Sequence, residues 1–239
     1  MKQTIVLVHG AWMNSGAWYK VVPLLEKAGY EVISVNLPGH GTDITPYETI
    51  QLQSYIDVVK NAIGKKDDVI LVGHSMAGIV ISQVAELIPA QINRLIYVAA
   101  YLPQNGESLY FLSQQDKDSH VGKYWRQDDP AHFSPAYIAK EGIKECFAAD
   151  APDEDVRTLI AQHKADALAP MATPVTLTDT NFGKVKKVYI HTTADNAVSY
   201  SLQQIMIDNT KVDKIYSLAT SHSPFFSKPE ELATLIIKY

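Results

Sequence analysis

Residues 69–78 have the sequence Val69-Ile70-Leu71-Val72-Gly73-His74-Ser75-Met76-Ala77-Gly78. The apolar run predicts a buried strand, and an apolar helical pattern begins directly after Ser75. A strand, a tight turn and a helix in this order can present a serine hydroxyl above the edge of a sheet, as in a nucleophile elbow. The usual pattern of that turn is G-x-S-x-G, and here Ala77 takes the second glycine position with Gly78 after it. The stretch therefore predicts an α/β fold with Ser75 as a candidate nucleophile.

Short apolar runs alternate with longer amphipathic runs on both sides of this stretch. The pattern predicts strands at residues 5–8, 30–37, 68–72, 94–100, 185–191 and 211–218. It predicts helices at residues 17–28, 49–63, 76–87, 200–207 and 229–238, with Pro23 delaying or kinking the first helix. Such alternation is typical of a parallel sheet with right-handed crossovers. We therefore expect a sheet of six mostly parallel strands flanked by helices.

The alternation stops between residues 103 and 183. This segment contains six prolines, clustered acidic residues and few strand-like runs. Helices are predicted at residues 135–148 and 153–165. Because its apolar pattern is thin, the segment is not expected to fold as a domain of its own. We expect a helical cap at 103–183, inserted into a core formed by residues 1–102 and 184–239.

Composition and charge exclude several classes of protein. The chain has 239 residues, of which 46% are hydrophobic, and a formal net charge of −5, which disfavours a nucleic-acid partner. The single Cys146 excludes an internal disulfide and a cysteine-rich zinc site. No run approaches the ~20 apolar residues of a membrane helix, and no leader pattern precedes the first strand. We expect a cytoplasmic protein without a membrane partner; its oligomeric state is open, and a homodimer is among the options.

A serine hydroxyl is a weak nucleophile and needs a general base. After a nucleophile elbow, the acid and then the histidine follow along the chain. Of the downstream histidines, His222 alone follows the last predicted strand, at the sheet edge expected for Ser75. Asp195 follows the preceding strand and is the predicted acid that orients His222, with helix capping as its alternative role. Asp179 is the nearest rival, but it precedes that strand.

The loop after the first predicted strand supplies a candidate oxyanion hole. The backbone N–H groups of Ala11 and Met76 are the predicted donors, and His9 is expected to brace the loop. Aromatic residues of the cap and of the last loop predict an apolar substrate pocket. The candidate substrate-binding residues are Gly10, Trp12, Trp125 and Phe225.

Segments 6–12, 73–78, 188–195 and 221–222 together resemble the α/β-hydrolase superfamily, and within it the methylesterase and hydroxynitrile lyase group. The resemblance implies a six-stranded core with a helical cap and no cofactor. The lyases of this group carry Thr at the position of Gly10, Glu at that of His74 and Lys at that of Ser223, so the resemblance implies an esterase. We expect a carboxylic ester hydrolase that acts on a small apolar or aromatic ester without a metal ion. A hydroxynitrile lyase and a ligand-binding receptor with a weakly active triad are the alternatives.

Overall fold

The computed structural model describes residues 2–130 and 134–239. Its strands, in chain order, are β1 (Thr4–Val8), β2 (Glu31–Val35), β3 (Val69–His74), β4 (Ile92–Val98), β5 (Trp125–Gln127), β6 (Ala136–Ile138), β7 (Lys186–Thr192) and β8 (Lys214–Leu218). Its α-helices are α1 (Val22–Lys27), α2 (Leu52–Ile63), α3 (Ala77–Leu87), α4 (Leu109–Ser113), α5 (Val121–Tyr124), α6 (Lys140–Phe147), α7 (Asp153–Gln162), α8 (Leu168–Ala172), α9 (Tyr200–Asn209), α10 (Pro224–Ser227) and α11 (Pro229–Ile237).

Six of the strands form one parallel sheet in the order β2-β1-β3-β4-β7-β8. The expected six-stranded α/β architecture is therefore confirmed. Strands β2 and β3 lie on opposite sides of β1, so the strand order reverses next to β1. Val8 pairs with Gly73, so β1 and β3 end side by side. In open α/β sheets, functional groups gather at this carboxyl edge, next to such a reversal of strand order.

The central strands and α2 show why the sequence forms these elements. Every residue of β1 and β3 is buried, as expected for strands covered by helices on both faces. The buried residues of α2 recur at helical spacing along one face: Leu52, Tyr55, Ile56, Val59 and Ile63. Pro23 lies in the first turn of α1, which begins at Val22, so the predicted late start is confirmed.

The cap contains the short elements α4, α5, β5 and α8, which were not predicted, and its two predicted helices have different bounds. Residues 136–138 form strand β6 rather than the start of a helix, because they pair with β5 in an antiparallel hairpin. The helix of this region begins only at Lys140. Helix α7 ends at Gln162, three residues before the predicted end at 165, because His163 leaves the helical conformation and its Nε2 accepts a hydrogen bond from the Ile138 N–H. Tertiary pairing thus overrides the local helical pattern.

No helix within the described residues is both long and apolar enough to cross a membrane.

Candidate active site

Ser75 occupies the sharp turn between β3 and α3. Its φ of 55° lies in the left-handed region, which is uncommon for a residue with a side chain. The Ser75 carbonyl accepts hydrogen bonds from the N–H groups of Gly78 and Tyr101, each at 3.1 Å. These bonds hold a strained conformation of the kind found at functional sites.

The glycines around Ser75 are required by close backbone contacts. A Cβ atom at Gly78 would lie 1.9 Å from the Tyr101 carbonyl oxygen, and one at Gly73 would lie 2.9 Å from the Ala77 carbonyl oxygen. Position 77 is already occupied by a buried methyl group that the fold accommodates. The departure from G-x-S-x-G is therefore explained, because the tightest approach falls at Gly78 and not at Ala77.

His222 and Asp195 form a buried pair at the ends of β8 and β7. His222 Nδ1 lies 2.8 Å from Asp195 Oδ2, and the two side chains are 1% and 0% exposed. Because a carboxylate can only accept, Nδ1 carries the proton of this bond. With the proton on Nδ1, the lone pair of an imidazole lies on Nε2, which is the tautomer that a general base needs.

Further hydrogen bonds fix the Asp195 carboxylate. Its Oδ1 accepts from the N–H groups of Ala197 and Val198 at 2.8 and 2.9 Å, and its Oδ2 also accepts from the Thr192 hydroxyl at 2.7 Å. The side chain of Ser199 caps helix α9. Asp195 is thus not the helix cap that its position also allowed.

His74 connects the loop of His222 to the turn of Ser75. Its Nε2–H donates to the His222 carbonyl at 2.9 Å, and the two rings lie 4.5 Å apart between centroids. Burial lowers the pKa of His74 well below its ordinary value, so its ring is neutral. From the cap, Asp150 accepts a 3.0 Å hydrogen bond from the Ser221 N–H. No pattern in the sequence marks these two bracing roles.

The candidate oxyanion donors lie beside Ser75. Ala11, Met76 and Ser75 all line one cavity. Met76 is the N-cap of α3, so its N–H belongs to the open end of that helix, where the dipole favours negative charge. His9 braces the loop as expected: its Nε2 accepts from the Leu37 N–H at 3.1 Å, and its Nδ1 lies 2.8 Å from the Gly10 carbonyl. Burial lowers the pKa of His9 to about 3, so it is neutral.

The cavity that Ser75 faces has a volume of about 780 Å³. Trp12 and Trp125 line it, as do Phe147 of α6 and Met171 of α8. The cap therefore supplies much of an apolar wall. A cavity of this size lies within the range of sites for drug-sized ligands.

Two residues predicted to bind the substrate are not among the described residues that line the cavity. Phe225 is fully buried and packs against Trp18 and His74, with ring centroids 5.0 and 4.9 Å away. At Gly10, a Cβ atom would lie 2.8 Å from both His74 Nδ1 and Ser75 Cβ. Gly10 thus permits close approach of its backbone to the turn at Ser75.

The chemistry available at the site centres on the serine. Among the residues of 2–130 and 134–239, no group of three or more His, Cys, Asp and Glu could hold a metal ion. Cys146 is buried on α6, and burial raises the pKa of its thiol to about 12, far from the range of a reactive thiolate.

Known proteins resemble this chain in sequence and in structure. It is 32% identical to the protein named "Putative methylesterase 11, chloroplastic" of Arabidopsis thaliana, over 98% of this chain and 63% of that protein. It is 27% identical to methylesterase 9 of Arabidopsis thaliana, over 98% of this chain and 96% of that protein. The chain thus spans less than two thirds of the first relative and nearly all of the second.

A solved pyrethroid hydrolase from Sphingobium faniae JZ-2 is 25% identical, with a TM-score of 0.89 over 100% of this chain and 97% of that one. The sequence model of the alpha/beta hydrolase family matches residues 5–235. The left-handed turn at Ser75, the sheet order and these similarities agree, and the chain belongs to the alpha/beta hydrolase family.

Proposed function

We propose that this chain is a carboxylic ester hydrolase in which Ser75 is the nucleophile, His222 the general base and Asp195 the group that orients His222. The observation that most strongly supports this proposal is the 2.8 Å contact between His222 Nδ1 and Asp195 Oδ2, since it leaves Nε2 free to accept a proton. The left-handed turn that presents Ser75 at the cavity wall supports it independently.

In the proposed mechanism, Ser75 Oγ attacks the ester carbonyl while His222 Nε2 takes its proton. The N–H groups of Ala11 and Met76 stabilise the negative charge on the carbonyl oxygen. When the intermediate collapses, His222 protonates the departing alcohol and an acyl-serine remains. Water then attacks the acyl-serine with His222 again as base, which releases the acid and restores Ser75.

The cavity favours neutral apolar or aromatic esters as substrates. Aromatic and aliphatic side chains dominate its described lining, and about 780 Å³ exceeds what a small methyl ester needs. Esters with two rings therefore also fit by volume. Methylesterases among the relatives and a pyrethroid hydrolase among the solved structures make methyl esters and bulky aromatic esters the first compounds to test.

The surroundings of Gly10 favour an esterase over a hydroxynitrile lyase. The lyases of the group carry a threonine at this position. Here a Cβ atom would already be 2.8 Å from His74 Nδ1, so His74 leaves no room for a larger side chain. His74 is thus compatible with glycine at position 10, as in the esterases of the group.

A substrate panel tests the proposed function. Purified protein is assayed with methyl, aryl and longer-chain acyl esters, and with mandelonitrile for release of benzaldehyde. We expect hydrolysis of at least the aryl esters and no benzaldehyde above the uncatalysed rate. Benzaldehyde release without ester hydrolysis would instead identify a lyase, and tight ligand binding without turnover would identify a receptor.

Asp116 is expected to select against negatively charged esters. Of the described residues that line the cavity, Asp116 alone carries a charge. Like charges repel more strongly in a partly enclosed site than in water. Asp116→Asn should therefore raise kcat/KM for 4-carboxyphenyl acetate by about 10-fold, roughly 1.4 kcal/mol, and leave phenyl acetate almost unchanged.

Asp118→Asn is the matched control for Asp116→Asn. Asp118 is exposed two residues away, outside the described lining. Asp118→Asn should leave the preference between 4-carboxyphenyl acetate and phenyl acetate unchanged. Equal effects of the two substitutions on the anionic ester would show that general surface charge, and not Asp116 in the cavity, sets the preference.

A further inference from the structure

A buried carboxylate of the cap contacts the oxyanion loop and lies outside the proposed triad. Asp166 is 0% exposed. Its Oδ2 accepts hydrogen bonds from the Trp12 backbone N–H at 3.1 Å and from His40 Nε2 at 2.9 Å. Its Oδ1 accepts a hydrogen bond from the Tyr55 hydroxyl at 2.9 Å. Because all three donors belong to the core, one cap side chain joins three separate core segments.

Asp166 also pairs with Ala136 through the backbone. Each N–H donates to the carbonyl of the other residue, at 2.8 and 3.0 Å. The Ala136 carbonyl further accepts the indole Nε1–H of Trp12 at 2.9 Å. We call Ala136 and Asp166 the cap bridge. Both N–H groups of Trp12, on its backbone and on its indole, are thus bonded to the cap bridge.

Trp12 needs such support because its backbone is strained. Its φ is 59°, and a left-handed conformation of this kind is unfavourable for a residue with a side chain. The Trp12 N–H and the Ala11 carbonyl belong to one planar peptide unit. The bond from Trp12 to Asp166 therefore fixes the plane that follows Ala11, the residue that lines the cavity beside Ser75.

His40 keeps the Asp166 carboxylate ionised. The two ring nitrogens of His40 face acceptors, the Pro38 carbonyl at 2.9 Å and Asp166 Oδ2 at 2.9 Å, so both carry protons. Burial alone lowers the pKa of His40, but the neighbouring carboxylate raises it above its ordinary value. Burial alone likewise raises the pKa of Asp166, but His40 and the hydrogen bonds bring it below its ordinary value. An ionised acceptor binds the Trp12 N–H more strongly than a neutral one.

We propose that Asp166 is a positioning residue for the oxyanion hole, acting through its bond to the Trp12 N–H, so that the cap bridge holds the peptide plane next to the one that carries the Ala11 N–H. The inference rests on the proposed esterase function. The cap then does more than cover the cavity: it supports the backbone next to Ala11, which carries one of the two proposed oxyanion donors.

Asp166→Asn tests the proposal with little change in shape. The asparagine oxygen can still accept hydrogen bonds in the place of Asp166 Oδ2, and its NH₂ group can donate to the Tyr55 hydroxyl. The negative charge of the carboxylate is lost. We expect kcat to fall by between about 10-fold and 10²-fold, somewhat less than the loss of a whole oxyanion donor. KM should stay within about twofold, because the donor acts mainly in the transition state.

Asp153→Asn is the matched control. Asp153 is a cap carboxylate that is 76% exposed and pairs with Lys144. It should retain the wild-type kcat. A well-folded Asp166→Asn protein with wild-type kcat would overturn the proposal, and so would an equal loss in the Asp153 variant.

Two NMR measurements follow Trp12 without any assay of activity. In Asp166→Asn, the Trp12 amide proton should move upfield, because it loses a charged acceptor; an unmoved signal would contradict the proposal. In the wild-type protein, the Trp12 amide should exchange with deuterium as slowly as the amides of Ala136 and Asp166. Exchange at the rate of an exposed loop would also contradict it, even if the asparagine variant failed to fold. If no ester is hydrolysed, the proposed function fails, whereas these signals still test the cap bridge.

Discussion

Ser75→Ala is expected to abolish ester hydrolysis, with kcat lower by about 10⁴- to 10⁶-fold. The substitution removes only Oγ, the atom that forms the acyl-serine in the proposed mechanism. The activity that remains would come from the oxyanion donors and from substrate binding. Because alanine has the same Cβ atom as serine at this left-handed position, the turn and the melting temperature should be preserved.

Ser217→Ala is a suitable control for this experiment. Ser217 lies on β8 and is exposed, outside the described lining of the cavity. It should retain wild-type kcat with every ester. If Ser75→Ala kept most of its activity while melting normally, Ser75 would not be the nucleophile.

Asp195→Asn is expected to lower kcat by about 10⁴-fold, through the tautomer of His222. One end of the carboxylate accepts two backbone N–H groups, from Ala197 and Val198. The asparagine must therefore place its oxygen there and its NH₂ group toward His222. His222 Nδ1 would then accept a hydrogen bond from the NH₂ group instead of donating one. The remaining ring proton would lie on Nε2, which could no longer take the proton of Ser75.

The matched control is Asp208→Asn, an exposed position on helix α9. It should change neither kcat nor stability. Near-normal turnover by a folded Asp195→Asn protein would show that another group orients the base. Measuring kcat over a pH range and the cooperativity of thermal unfolding on the same samples separates this outcome from a loss of structure.

The core could be predicted because its signals are local. The strands around Ser75 are continuous apolar runs, and turns containing glycine or proline end several of the core helices and strands. The chain order of nucleophile, acid and histidine then selected Asp195 and His222 from a larger set of acidic and histidine residues. The structure places these two side chains 2.8 Å apart, although 27 residues separate them in the sequence. Their catalytic roles remain the proposal that the experiments test.

The cap and the bracing contacts could not be predicted in the same way. Strand β6 has only three residues, and its partner β5 determines its conformation. The contact between Trp12 and Asp166 spans 154 residues and follows no sequence period. His40 lies three residues after the strand predicted at residues 30–37, but no pattern in the sequence identifies Asp166 as its partner. Phe225 is close to His222 in the sequence, but its ring packs against the His74 ring in an edge-to-face contact.

The most direct test of the account is labelling with a fluorophosphonate, a reagent that reacts with activated serine hydroxyls. The Ser75 oxygen should displace fluoride and form a phosphonate ester, with the lost proton taken up by His222. Intact-mass analysis and peptide mapping of the wild-type protein should find one phosphonyl group per chain, on Ser75, together with complete loss of ester hydrolysis. Labelling should be absent in Ser75→Ala. A hydrolytically active protein that is labelled at another residue, or that stays active after Ser75 is fully labelled, would contradict the assignment of Ser75 as the nucleophile.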